Sequence, residues 1–155
     1  MRQGWVLALG LSVFLFGCAE EEGARAPTVR VIELVEHVEN ESVTDTGAMG
    51  DSVGDILTFA NSLYDKTNTT KVGTDQGYCI RVSAGVSWEC EWTAFLADGQ
   101  ISVAGPFFDA KESTLTITGG TGAFKSATGE MALGFRETQP PTVEYDFVYT
   151  VVLEE

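Results

Sequence analysis

Between residues 143 and 153 apolar and polar side chains alternate, with Val143, Tyr145, Phe147, Tyr149, Val151 and Leu153 on one face and Glu144, Asp146 and Thr150 on the other. A period of two marks an extended strand with one buried side. Val148 and Val152 fall on the second face. The far half of this strand is therefore apolar on both sides, which predicts a covered outer surface as well as a filled interior. Trp88, Cys90, Trp92 and Ala94 alternate in the same way with Ser87, Glu89, Glu91 and Thr93, and Leu115 and Ile117 with Thr114, Thr116 and Thr118.

Eight segments carry such patterns: 28–38, 55–63, 71–82, 86–96, 100–107, 113–118, 124–136 and 143–153. No long helical period interrupts them. Turn chemistry separates them, in Gly47 and Gly50, Asn68, Ala84-Gly85, Asp98-Gly99, Gly119-Gly120 and Pro140-Pro141. Short, evenly spaced strands predict an all-β fold. Eight antiparallel strands can close into a β-barrel that leaves no exposed edge and encloses an apolar interior cavity for side chains or one small ligand.

Gly119, Gly120 and Gly122 are read as positive-φ positions of a tight bend. A phosphate-binding reading of these glycines fails on spacing. Lys125-Ser126 follows Phe124 rather than a glycine, Lys125 occupies the place of the third glycine of a dinucleotide fingerprint, and no helical pattern follows.

Arg2, an apolar run from Trp5 to Phe16, and Leu15-Phe16-Gly17-Cys18 form an export signal over residues 1–17, too short for a comfortable membrane span. The tetrapeptide is similar to a bacterial lipobox, which would make Cys18 the lipidated N-terminus; an ordinary signal with an incidental cysteine is the alternative. Residues 18–27, with Glu20, Glu21 and Glu22, form an acidic tether to a single domain spanning 28–155. These features predict an exported, membrane-anchored lipoprotein facing the periplasm or cell surface. The formal charge of −14 argues against a nucleic-acid partner and against docking on anionic headgroups.

If residues 79–83 and 86–90 form a hairpin turning at Ala84-Gly85, Val82 faces Ser87, Arg81 faces Trp88, Ile80 faces Glu89 and Cys79 faces Cys90. Directly opposed residues come close enough for a cross-strand disulfide, and export supplies an oxidising compartment. Two buried free thiols are the competing reading. His37 is the sole histidine and the two cysteines lack zinc spacing, so no metal site is expected.

Glu36 shares a face with Ile32, Leu34 and Val38. Three environments are open to it. Desolvated inside a barrel, it would have a raised pKa and serve as a general acid or base; paired with Arg81 or Arg30, it would be an internal ion pair; on an edge-like strand, it would be solvated. Trp88 and Trp92 either line a cavity or fill the core.

The segments VGDILTFANSLYD (53–65), VGTDQGYCI (72–80), ISVAGPFF (101–108) and LTITGGTGAFKSATGEM (115–131) resemble the allene oxide cyclase and dirigent superfamily across residues 53–153. The resemblance implies an eight-stranded antiparallel barrel, assembled as a homotrimer or homodimer, with an elongated apolar cavity. It also implies cofactor-free chemistry on a small apolar partner that is fatty-acid-derived, polyketide-like or phenolic. Asn61 matches the asparagine that helps hold an ordered water on an epoxide oxygen, and Cys79 a cavity-lining cysteine. On the first strand an ungapped alignment matches Asn40 to the family's asparagine, whereas a shifted one matches Glu36 to its glutamate. The family's proline has no counterpart in residues 41–50.

Two functions follow. The first is a cyclase or isomerase in which Asn61 holds a polar oxygen, Glu36 or Asn40 stabilises developing charge, and Cys79, Trp88 and Trp92 shape the cavity, so that Asn61→Ala would lower turnover more than stability. The second is a non-catalytic, lipid-anchored carrier or dirigent-like scaffold for an apolar ligand.

Overall fold

The structure, a computed structural model, describes residues 26–154. The signal segment, Cys18 and the tether up to residue 25 lie outside the described residues. The elements are β1 (Thr28–His37), β2 (Glu41–Thr44), β3 (Ile56–Asp65), β4 (Lys71–Ser83), β5 (Ser87–Leu96), β6 (Gly99–Phe108), β7 (Ser113–Gly120), a 3-10 turn (Gly122–Phe124), β8 (Thr128–Phe135) and β9 (Glu144–Leu153).

All pairings between these strands are antiparallel, in the order β1-β9-β8-β7-β6-β5-β4-β3-β2. A further pairing of β1 with β3, Leu34 opposite Asp65 through His37 opposite Ser62, closes the sheet. The result is the expected eight-stranded antiparallel barrel with one additional strand.

The additional strand arises because the first predicted strand does not end where its pattern does. After His37 the chain breaks at residues 38–40 and resumes as β2, pairing Glu41 with Phe59 and Thr44 with Ile56. β1 and β2 therefore run in succession along β3. β2 was not expected from the sequence, since all four of its side chains are exposed and none shows a buried phase.

Inward positions of β6, β7, β8 and β9 build the core, with Ile101, Val103, Leu115, Met131, Tyr149 and Val151 nearly or wholly excluded from water. One end is plugged by Phe124, whose ring is buried and lies 5.1 Å from the Arg30 guanidinium. This corrects the seventh predicted strand, which begins at Thr128 rather than Phe124.

The glycines before the plug serve a closer approach than a simple bend. Gly119 and Gly122 have positive φ, but Gly120 does not. A Cβ at Gly120 would collide with the Gln100 and Phe124 carbonyl oxygens, so glycine is needed there for space. Thr121 N and Ala123 N donate to Gln100 O and Asp98 O, tying the turn across the β5–β6 hairpin.

The β4–β5 hairpin keeps the expected partners Arg81–Trp88, Ile80–Glu89 and Cys79–Cys90, but Ser83 rather than Val82 faces Ser87. A bulge between Arg81 and Ser83 absorbs the extra residue. The expected covering of the outer face of β9 is not supplied by the described residues. Val148 is 37% exposed, and on neighbouring β1 Val29 and Val31 are 58% and 63% exposed.

Candidate functional site

Opposite the Phe124 plug the barrel holds a cavity of about 80 Å³, bounded by the end of β1, the start of β2, and by β3, β4, β5, β6, β8 and β9. Phe59, Trp92, Phe107, Tyr145 and Phe147 supply its aromatic walls, with Glu36, Glu41 and Asn61 as polar members. Apart from Glu41, which reaches the space from exposed β2, these residues meet because each stands at an inward phase near the same end of the barrel. Phe59 and Phe147 pack on the Trp92 ring with centroids 5.9 and 5.8 Å away. Phe107, Phe135 and Tyr145 form a mutual aromatic triad, with centroids 5.6 to 6.3 Å apart and Phe135 45% exposed. An occupant the size of an ordinary ligand, roughly 300 Å³ or more of pocket, would extend toward this triad or displace side chains.

Glu36 is 4% exposed, which decides among its three predicted environments. It is neither solvated nor paired with Arg30 or Arg81. Arg30 reaches Asp98 at 3.7 Å, and Arg81 faces Asp51 and Asp109. Glu36 Oε1 instead accepts a hydrogen bond from Asn61 Nδ2 at 2.8 Å. Burial pushes its carboxyl well above the usual range, the Asp75 charge pushes it further, and the Asn61 bond opposes both in part.

Asp75 is a buried carboxyl beside Glu36 that was not singled out from the sequence. It is 1% exposed, and neither of its oxygens accepts a well-formed hydrogen bond from a described donor. Its neighbour is Glu36, and burial raises its pKa as well. Two carboxyls so placed oppose each other's ionisation, and burial adds to that effect, so the pair holds its proton more tightly than free carboxyls do. The signal was available in the sequence: Asp75 stands four residues before Cys79, at the same inward phase of β4.

Asn61 is 4% exposed, and its hydrogen-bonding capacity is largely committed. Oδ1 accepts from the backbone N–H groups of Glu39 at 2.9 Å and Asn40 at 3.1 Å, the two residues at the break between β1 and β2. Those donors fix the amide orientation, which directs Nδ2 at Glu36. One amide hydrogen is left for the cavity. Asn40 takes another place than expected: it is exposed, and its Nδ2 donates to the Ala60 carbonyl at 3.2 Å.

Cys79 and Cys90 both line the cavity and are joined as a disulfide, with Cα atoms 4.0 Å apart. Of the two expected tryptophans, Trp92 lines the wall, whereas Trp88 is buried beneath Arg81, whose guanidinium carbon lies 3.9 Å from the ring centroid. Arg81 Nη1 donates to both Asp109 oxygens at 2.8 and 2.7 Å, and Nε lies 2.6 Å from Asp51 Oδ1. Arg81 thus ties loop 45–55 and the end of β6 to the β4–β5 hairpin. In the same loop Asp55, buried, accepts from Thr46 N and Ser52 N, which lowers its pKa.

Tyr145 has its hydroxyl pushed up to about 12, first by burial and then by Glu36, Glu41 and Asp109. Tyr149, deeper and wholly buried, is raised by desolvation and by the charge of Asp75. The cavity is thus a mostly apolar chamber with a buried carboxyl pair at its inner end, both of its pKa values raised.

Residues 26–153 match the sequence profile described as Allene oxide cyclase. Among solved structures, a pyocyanin demethylase is similar at 26% identity and a TM-score of 0.63, covering 77% of this chain and all of that one. A pterocarpan synthase dirigent protein is similar at 14% identity and a TM-score of 0.71, covering 85% and 88% of the two chains. An exo-specific intermolecular Diels-Alderase matches at 17% identity and a TM-score of 0.64, covering 83% and 99%. The last two likenesses show the fold.

Proposed function

The chain belongs to the allene oxide cyclase family, and from that premise we propose that its barrel is a cofactor-independent cyclase or isomerase acting on a small organic molecule held in the cavity. The observation that carries the reading is the buried Glu36 carboxyl, fixed by Asn61 at 2.8 Å beside Asp75 and facing aromatic walls. A proton retained at neutral pH next to apolar space is what a general acid requires. The walls restrict the conformers of a flexible substrate and exclude water from a reactive intermediate, which favours ring closure over hydrolysis.

In this mechanism Glu36 gives its proton to an oxygen of the substrate as charge develops there. The Asn61 Nδ2 bond limits the charge left on Glu36, and the proton returns to the carboxyl as the isomeric product forms, so the pair ends as it began. Asn61 positions Glu36 and offers its free amide hydrogen to the same oxygen. The disulfide of Cys79 and Cys90 forms part of the wall.

The test is to expose a metabolite extract to the purified protein and to its Glu36→Gln variant, then compare bound and free compounds by mass spectrometry. The expected result is an isomer of unchanged mass formed by the native protein, and unaltered compound retained by the variant. Recovery of the same unaltered ligand from both would overturn the enzymatic reading in favour of a carrier or dirigent-like scaffold.

Export with lipidation at Cys18 is part of the proposal, supported by the lipobox-like sequence and by a disulfide, a bond at home in oxidising compartments. Intact mass of the membrane-extracted protein tests it. Assembly as a homotrimer or homodimer is proposed on the exposed valines of β1 and β9, with light scattering as its measurement.

A further inference from the structure

We propose that the cavity selects a cationic ligand, an N-alkylated aromatic ring or a similar quaternary nitrogen, over neutral and anionic molecules of the same shape. This rests on the reading of the barrel interior as a small-molecule site. It also redirects the expectation of a fatty-acid-derived ligand, which would carry a carboxylate.

Three observations on the cavity agree. Its walls present five aromatic rings, Phe59, Trp92, Phe107, Tyr145 and Phe147, and a ring face attracts a cation through its quadrupole. Among the described residues its charged lining is acidic: Glu36 and Glu41 face the space, Asp75 adjoins Glu36, and no described lysine or arginine is part of the wall. Arg81, two residues from Cys79 on the same inward face of β4, is already committed to Trp88, Asp51 and Asp109.

An anion entering this chamber would lose its hydration and find no counter-ion. A cation would find aromatic faces in place of water and a carboxyl able to ionise in response. The combination of aromatic faces with carboxyls is the recognition chemistry of quaternary ammonium groups. Burial is the first cause of the raised Tyr145 pKa, and the charges of Glu36, Glu41 and Asp109 add to it.

The experiment uses three bicyclic probes of matched shape: N-methylquinolinium, 1-methylnaphthalene and 1-naphthoate. Dissociation constants are measured by tryptophan fluorescence on the purified protein at neutral pH and fixed ionic strength. The cation is expected to bind at least tenfold more tightly than 1-naphthoate and severalfold more tightly than 1-methylnaphthalene. Glu41, on exposed β2, can be changed without disturbing the core, and Glu41→Gln should weaken the cation about threefold while leaving 1-methylnaphthalene unchanged. Equal or tighter binding of the neutral or anionic probe would overturn the proposal. So would a cation affinity indifferent to Glu41→Gln, because the attraction would then belong to the acidic surface at large. Failure of all three probes to bind would overturn the small-molecule site itself, a different outcome from loss of the cation preference.

Discussion

Asn61 Nδ2 donates to Glu36 Oε1 at 2.8 Å while Asn61 Oδ1 accepts from the backbone of Glu39 and Asn40. One side chain therefore couples the break between β1 and β2 to the position of the buried acid. The pairing gives Asn61 a structural duty that the sequence reading did not assign, and it changes what its removal should do.

Asn61→Ala should destabilise the fold by about 2–4 kcal/mol, because it strands two backbone N–H groups and leaves the Glu36 carboxyl without its donor. Urea unfolding measures this. The earlier expectation that turnover would fall far more than stability is replaced by a loss of both. An unchanged unfolding midpoint would show that the break at residues 38–40 is held by other contacts.

Glu36→Gln preserves shape and can still accept from Asn61, but it removes the ionisable proton. Conversion of substrate should fall on the order of 100-fold or more, with ligand retention and thermal midpoint nearly unchanged. Comparing this variant with Asn61→Ala separates the chemistry of the carboxyl from its positioning.

The raised pKa values of Glu36 and Asp75 make stability depend on pH in a definite direction. Both groups hold protons more tightly in the folded barrel than in the unfolded chain. The stability they contribute is full below the unfolded carboxylate pKa, about 4, and is lost as pH rises through their folded values. Asp65, held at about 2 by Thr69 N and the Thr67 hydroxyl, acts oppositely, and its contribution disappears as pH falls below 4. Asp75→Asn should therefore flatten the stability profile on the neutral side while leaving the acid limb in place, as read from thermal midpoints across pH.

Replacing Cys79 and Cys90 together by serine should cost about 3 kcal/mol, the loop-closure contribution for a short bridged segment. Thermal unfolding with and without reductant checks this: the native protein should lose stability on reduction, and the double variant should be insensitive to it. Because both cysteines face the cavity, the variant should also bind cavity ligands less tightly.

Arg81→Met should keep packing against Trp88 but release Asp51 and Asp109. Loop 45–55 would then be held by its backbone bonds from Gly54 N to Arg81 O and from Arg81 N to Asp55 O. Limited proteolysis should cut that loop faster in the variant, while the barrel core remains protected.

Much of the barrel was legible in one dimension, because period-two alternation in β5, β7 and β9 reports directly which side chains meet the core. The Cys79–Cys90 register was legible as well, since a short hairpin fixes its own pairing. Other features had no such local signature. β2 is all exposed, the bulge at Val82 shifts one pair, and Phe124 plugs the barrel from a turn rather than a strand.

The site divides in the same way. Glu36, Asn61, Cys79 and Trp92 were singled out from sequence and do meet at the cavity, whereas Asn40 and Trp88 do not line it. Whether Glu36 would be solvated, paired or desolvated depended on where Arg30 and Arg81 found their partners, which are distant in the chain.

β4 shows the boundary between the two kinds of information. Tyr78, Ile80 and Val82 are apolar yet point outward and are 42–51% exposed, while Gly73, Asp75, Gly77, Cys79 and Arg81 point inward. Its own hydrophobicity would place the strand the other way round. The inward glycines are required because a Cβ at Gly73 would collide with the Phe95 carbonyl, and one at Gly77 with Trp92. The sequence by itself determined that strands form, how they alternate and that they close. Only the tertiary structure decided which face of β4 turns inward, because the bulk of β5 and the disulfide outweigh a few exposed apolar side chains, and that choice buried Asp75 beside Glu36.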